Sequence, residues 1–291
     1  MICIILVNYG GKTDTEECVK SIKLNDSEYK IIIVDNGSVD GKVVYNDVID
    51  RQCCEIIYLD DNIGFAAGNN VGIEHAKKYN PEYVMLLNND TVICEDCLSL
   101  LVEKAKEYND QAVLTTKIVY HDDNDYIWYG GCEFNEDLGE YKIRGLRDKD
   151  RDDYNKELYV DYVTGCVMFI PINILEIVGK MSEEYFLYYE DADYCQRIKT
   201  CGYRMAYIPS ITIYHKESRS TKRGSNLYHY YVLRNYLIYI RKYSNQKLRY
   251  ILKKLYYSLK DALGKRMSFY VWICAWWDFL VKKTGKRKGL L

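Results

Sequence analysis

The chemistry-bearing residues of this chain stand where apolar runs end. Asp35 follows the run 31–34, Asp90 closes Asn88-Asn89-Asp90-Thr91 after the run 83–87, and His215 closes the run 211–214. Glu190, Asp191 and Asp193 place three carboxylates within four residues, more than one helix cap uses. Crowded carboxylates repel unless a cation or a proton relieves them, and an imidazole suits a divalent metal. The plain alternatives are that Asp90 caps the next helix and that His215 is a surface histidine at a strand end. Other chemistries fail on spacing. Gly10-Gly11-Lys12-Thr13 looks like a phosphate loop, but the glycine required five positions before Gly11 is Leu6. No dinucleotide glycine fingerprint follows a strand, and Cys94-Glu95-Asp96-Cys97 lacks a second pair or a nearby histidine to complete a zinc set.

The elements that must position these groups are legible as a pattern. The runs 2–7, 31–34, 56–59 and 83–87 are apolar without alternation, as expected of strands buried on both faces of a parallel sheet. Between them, Asp14 and Glu17 suggest a capping box ahead of Cys18, Val19 and Ile22, and Leu98, Leu101, Val102 and Ala105 mark another helix. This alternation predicts an α/β fold whose ligands bind beyond the carboxyl ends of the strands, so Asp35 and Asp90 should face one crevice. From 110 to 165 we expect short strands at 113–120 and 158–163 around the charged stretches 122–125 and 144–156, read as a solvated, mobile loop. A strand near 165–170, helices at 172–178 and 192–201, and a strand at 211–214 complete this part, with a boundary near 216–225.

The formal net charge of −2 conceals two opposite halves. Residues 1–215 carry 21 basic and 39 acidic side chains, a net of −18, and residues 216–291 carry 19 and 3, a net of +16. With 48% hydrophobic and 28% charged residues the chain is neither disordered nor fibrous. Its longest apolar C-terminal run, 269–277, falls short of the roughly 20 residues of a membrane span. No basic leader precedes the first strand, and the eleven cysteines are odd in number, so a cytosolic protein with free thiols is expected. In the tail, Leu248, Ile251, Leu252, Leu255, Leu259, Ala262 and Leu263 form one helical stripe with lysines and arginines off it, followed by a tryptophan-rich run between basic pairs. Three readings stand for 245–290: contact with a membrane surface, packing on its own domain or in a homo-oligomer, and nucleic-acid binding, for which no motif is present.

Asn8-Tyr9, Val34-Asp35-Asn36-Gly37-Ser38, the glycine-rich stretch from Asn62 to Gly72, Leu86-Leu87-Asn88-Asn89-Asp90, Thr164-Gly165-Cys166, Tyr189-Glu190-Asp191-Ala192-Asp193-Tyr194 and Tyr214-His215 occur in that order. Together they resemble glycosyltransferase family 2, nearest its bacterial rhamnosyltransferase-like and galactofuranosyltransferase-like branch. Tyr231-Val232-Leu233-Arg234-Asn235 also resembles a segment these enzymes carry after the catalytic domain. The resemblance implies a GT-A fold, a mixed, mostly parallel Rossmann-like sheet flanked by helices, over residues 1–216. Its nucleotide-sugar half would span about 1–110 and its acceptor half about 111–216, with the basic helical tail 217–291 appended. It implies nucleotide-sugar contacts at Tyr9, Asp35, Asn69, Asn70 and Asn88. It also implies a Mn²⁺ or Mg²⁺ at Asp90 and His215, a catalytic base at Asp191, and acceptor-side or supporting roles for Gly165, Glu190 and Asp193. Asn88 stands where the family's metal motif begins with Asp, so the metal would lean on the diphosphate and on His215.

The activity so implied is inverting transfer of a sugar, rhamnose as first choice, from a UDP- or dTDP-linked donor. The acceptor would be a glycan or lipid-linked glycan, in cell-surface polysaccharide synthesis at the inner membrane face. Two other readings are a sugar nucleotidyltransferase and an inactive relative acting as an assembly partner. The first expects a glycine-rich signature with Arg and Lys after strand one, which Asn8 to Lys12 does not supply.

Overall fold

The computed structural model describes residues 1–22, 29–38, 53–94, 96–217 and 224–289. The first half alternates β1 (Ile2–Asn8), α1 (Lys12–Ser21), β2 (Tyr29–Asn36), β3 (Cys54–Leu59), α2 (Phe65–Ala76) and β4 (Tyr83–Asn88). β1 pairs in parallel with both β2 and β4, and β2 with β3, so the four apolar runs become the parallel core. α2 lies close on β1 because two glycines face it. A Cβ at Gly72 would stand 2.4 Å from Ile5 Cγ2, and one at Gly68 2.9 Å from Val7 Cγ1.

Further along come β5 (Thr91–Ile93), α3 (Cys97–Glu107), β6 (Ala112–Tyr120), β7 (Ile127–Tyr129), β8 (Cys132–Asn135) and β9 (Glu140–Ile143). They are followed by β10 (Leu158–Tyr159), β11 (Val167–Pro171), α4 (Ile172–Val178), α5 (Glu190–Thr200) and β12 (Arg204–His215). One sheet runs β3-β2-β1-β4-β11-β6-β12-β10, with β5 added to β12 and β7 to β6. Its long ladders are mostly parallel, and β11 enters antiparallel between β4 and β6. β8 and β9 form a separate hairpin.

Several expectations change here. α1 begins at Lys12 with Gly11 as its cap and no side-chain capping bond. Asp14 and Glu17 instead both bind Lys216, just beyond β12, because a nearby ammonium satisfies them better than the helix end. The strand expected over 158–163 shrinks to β10. The stretch 144–156 is exposed over 148–153 and 155–156, as expected of a solvated loop, but it is tied down at two points: buried Lys117 of β6 needs counter-groups, which Asp150 (2.7 Å) and Asn155 supply, and Tyr154 is buried. Around 122–125 the chain is exposed as expected. The strand expected at 211–214 is the end of the longer β12, which carries a register shift between Ile208 and Thr212.

The tail is three helices, α6 (Asn226–Tyr243), α7 (Lys247–Leu263) and α8 (Phe269–Leu280). Ser225 caps α6, its side chain accepting from Tyr228 N. α6 is buried along most of its length and forms a second apolar cluster with Tyr185, Phe186 and Ala192, next to the start of α5. No helix of the described residues is long and apolar enough to cross a membrane. All eleven cysteines are free thiols.

The α2–β1 contact yields a test. Gly72→Ala should lower stability by about 1–3 kcal/mol through overpacking against Ile5, despite alanine's better helix propensity, read as a lower urea midpoint with an unchanged m-value.

Candidate active site

A cavity of about 850 Å³ opens at the carboxyl ends of β1 and β4. Its other walls are the 162–166 segment, the start of α5, the end of β12 and residues of α6 and α7. On one side stand Asp90 and His215, 125 residues apart in sequence, and β5 brings them together. Thr91 pairs with His215 in the β5–β12 ladder, and Lys216 N donates to Asp90 O at 3.0 Å. Asp90 Oδ1 then lies 3.2 Å from His215 Nε2, both side chains buried. Trp128 meets the imidazole edge-on, with ring centroids 4.5 Å apart. His215 Nδ1 is buried with no well-formed hydrogen bond among the described residues, although the Cys166 thiol adjoins the ring. Burial opposes charge on His215, but Cys166 and Asp90 outweigh it and hold its pKa well above the usual value.

Elsewhere along the cavity wall the chain makes a turn that ordinary residues avoid. Tyr188 and Tyr189 both adopt left-handed backbone, φ 67° and 73°, at about 1–2 kcal/mol each. Asn235 of α6 holds the turn, its Nδ2 donating to the Leu187 and Tyr188 carbonyls at 2.9 Å each. Tyr188 packs edge-on against Tyr228, and Tyr189 against Tyr236. α5 starts directly after, placing Asp191 on the cavity wall. Its Oδ2 accepts from the Tyr162 hydroxyl and from Gly165 N at 3.1 Å, and its Oδ1 from Ala192 N at 2.8 Å. Gly165 leaves room for the Phe65 ring, since a Cβ there would stand 2.9 Å from Phe65 Cε1.

Glu190 and Asp191 are neighbours in opposite situations. Burial raises both pKa values, but three donors pull Asp191 back, whereas Glu190 Oε2 is buried without a partner among the described residues and is pushed further up by the charge on Asp191. The pair therefore holds its proton on Glu190 and its negative charge on Asp191.

Of the residues singled out in the sequence, Tyr9, Asn88, Asp90, Gly165, Glu190, Asp191 and His215 line this cavity. Four are placed elsewhere. Asp35 is buried behind the wall, beside Asn8 in register, with Ser38 donating to it through its backbone N and its hydroxyl. Asn69 Nδ2 donates back to Phe65 O, and Asn70 clamps Met181, its Nδ2 donating to the Met181 carbonyl and to Glu183 while its Oδ1 accepts from Met181 N. Gly64 and Phe65, at the start of the same segment, reach the cavity in their place. Asp193 is wholly buried and neither caps α5 nor faces the cavity. It ties α5 to α6 through Arg197 (3.0 Å), Lys242 (2.6 Å) and Tyr243 (2.8 Å). Tyr162 and Trp128 were missed because nothing in their local pattern marks them. Asn235 stood in a quoted segment without a role, and the burial of Arg234-Asn235 at 0% exposure is what reveals one.

Residues 3–170 match the family described as Glycosyl transferase family 2. The chain belongs to glycosyltransferase family 2. Rhamnosyltransferase WbbL of Escherichia coli (strain K12) is 24% identical over 241 residues, covering 74% of this chain and 83% of WbbL. dTDP-rhamnosyl transferase RfbF of Shigella flexneri is 24% identical over 231 residues, covering 76% and 73%. Both place this glycosyltransferase in the rhamnosyltransferase-like branch. Among solved structures, GalNAc-T7 with UDP, GalNAc and Mn²⁺ superposes with a TM-score of 0.64 at 15% identity, over 85% of this chain and 48% of that one, so the chain spans about half its length. The shared feature is the GT-A fold, as the motifs lead one to expect. A sugar-transferring family takes the place of the nucleotidyltransferase reading.

The Asp90–His215 pair suits a divalent ion: a carboxylate oxygen and an imidazole nitrogen lie side by side, and the ion would take the place of the proton that Asp90 helps to hold on His215. Among the described residues no set of three His, Cys, Asp or Glu side chains forms a cage, so the protein offers two ligands there.

The carboxyl pair predicts a pH dependence of stability. Folded Glu190 keeps a proton that the unfolded chain releases above about its ordinary 4.5, so folding is progressively weakened as pH rises from there toward the raised folded value. Glu190→Gln removes that slope: in urea unfolding the variant's stability relative to the parent should grow as pH rises from 5 to 8, and a constant difference would contradict it.

Proposed function

We propose that the enzyme is an inverting, metal-dependent glycosyltransferase working in cell-surface polysaccharide synthesis. It moves a sugar, rhamnose as first choice, from a dTDP- or UDP-linked donor to a glycan or lipid-linked acceptor. The observation that carries this reading is that the Asp191 carboxyl, held by three donors, and the Asp90–His215 pair line one cavity. Residues 1–216 would form the catalytic unit, with 217–291 supplying one wall and a contact with the inner membrane face.

In this reading the diphosphate lies toward Asp90 and His215, and the base of the nucleotide toward Tyr9 and the end of β2 that carries Asp35. The sugar lies between the diphosphate and α5. The acceptor hydroxyl approaches beside Asp191 as its oxygen attacks the anomeric carbon. A new C–O bond forms, the bond from that carbon to the diphosphate oxygen breaks with its electron pair leaving on phosphate, and the proton passes to Asp191. Tyr162 and the Gly165 amide hold the carboxylate at the right orientation, while neutral Glu190 spares it a second negative charge. Single displacement from the face opposite the leaving group inverts the anomeric centre, through a transition state akin to that of inverting glycosidases. A Mn²⁺ or Mg²⁺ bound by Asp90 and His215 would supply neutralisation of the leaving diphosphate's charge. The rhamnosyltransferase names of WbbL and RfbF support the donor, and the Mn²⁺ of GalNAc-T7 supports the ion.

The test uses Asp191→Asn. It should cut kcat by about 10²–10⁴-fold while the thermal shift given by dTDP- and UDP-linked sugars with Mn²⁺ stays close to that of the parent. Full transfer activity in the variant would remove Asp191 as the base. A parent melting curve unmoved by every thymidine and uridine nucleotide would remove the donor.

A further inference from the structure

Helix α7 buries Tyr250, Ser258 and Ala262, leaves Ile251, Leu255 and Leu259 half-buried, and turns Leu248, Leu252 and Leu263 of its apolar stripe outward. Leu248 is 70% exposed, Leu252 54% and Leu263 69%. α8 repeats the arrangement. Val271, Ala275 and Phe279 pack inward, while Ile273, Trp277 and Leu280 stand at 47%, 62% and 66% exposure. Ser258 joins the two helices by accepting from Trp272 Nε1 at 3.0 Å and Trp276 Nε1 at 3.3 Å, so both outward stripes belong to one packed hairpin. An exposed apolar surface of this kind marks an interaction site.

Its surroundings state what kind. Lys260, Lys265, Lys282 and Lys283 are exposed around the stripes. Between 226 and 289 the only acidic residues are Asp261 and Asp278, and each already faces an arginine, Arg266 and Arg287. We propose that the outward face of the α7–α8 hairpin docks on an anionic bilayer, lying in the headgroup region with its leucines and Trp277 among the acyl chains and its lysines on the phosphates. Charge decides against a second copy of the same face, because a two-fold contact would bring two lysine rims together. On the inner side of α7, Lys254 lines the cavity and pairs with Glu140 at 2.7 Å, so docking places the cavity beside the lipid. Delivery of a lipid-linked acceptor from that surface rests on the transfer reading above, whereas the docking itself does not.

Flotation of the full chain with phosphatidylcholine vesicles, with and without phosphatidylglycerol, tests this. The chain should bind the anionic vesicles at least about tenfold more tightly, and added salt should weaken the binding. Leu252→Ser with Trp277→Ser, and separately Lys282→Gln with Lys283→Gln, should each lower binding by about tenfold or more. The thermal shift with nucleotide sugars is read on the same samples: retained shift with lost flotation shows that the variants are folded and the docking face alone is damaged. A chain that floats but responds to no nucleotide sugar removes the transfer reading and leaves the docking intact. Equal affinity for both vesicle types, or flotation indifferent to all four substitutions, overturns the proposal. So does a sedimenting dimer that the Leu252/Trp277 variant splits, which assigns the face to a second copy.

Discussion

The Asn235 amide, donating to the Leu187 and Tyr188 carbonyls, is the contact on which the cavity's chemistry depends. Two successive tyrosines in left-handed backbone do not persist unless the surroundings over-determine them. Here that surrounding is α6, which belongs to the basic tail. With the turn held, α5 starts where its first residues reach the cavity, and Asp191 meets Tyr162 and Gly165. A helix that the charge pattern assigns to an appendage is thereby part of the wall and the support of the site.

The Asp90–His215 part of the wall depends on a shorter element. β5 is three residues long, yet its pairing with the end of β12 places Asp90 against His215. The two walls also differ in electrostatic logic. Around Asp191, backbone and hydroxyl donors stabilise one negative charge and a neighbouring carboxyl stays neutral. Around Asp90, a carboxylate and an imidazole share a buried contact suited to a cation.

The charge asymmetry of the chain has a structural use as well. Lys242 reaches Asp193, Lys254 reaches Glu140, Arg249 reaches Asp137 and Lys216 reaches Asp14 and Glu17, so basic residues of the last quarter bind acidic residues of the first three. The pair at Asp193 is buried and positions α5 against α6, while the pair at Asp137 is exposed and contributes little. The lysines left over are those around the outward face of α7 and α8.

Local pattern was enough for the parallel strands, for the polar ends that line the cavity at Asn88 and Asp90, and for the acidic cluster, because apolar periodicity and strand ends are properties of a short stretch of chain. It failed where a distant partner competes. Asp14 and Glu17 look like a cap until Lys216 arrives, residues 144–156 look free of the fold until Lys117 draws in Asp150, and the amide nitrogens of Asn69 and Asn70 look available until Phe65 and Met181 take them. The direction of the α7 stripe is of the same kind. A helical repeat defines an apolar face, but only packing decides what that face meets, and here α7 turns Ser258 and Ala262 inward and Leu248, Leu252 and Leu263 out. Residue types and their order thus determined the family and the groups available for chemistry. Tertiary structure decided which carboxylate carries the charge, which histidine nitrogen faces Asp90 and which amides are already used, because burial and hydrogen-bond partners are set by contacts between residues far apart in the chain.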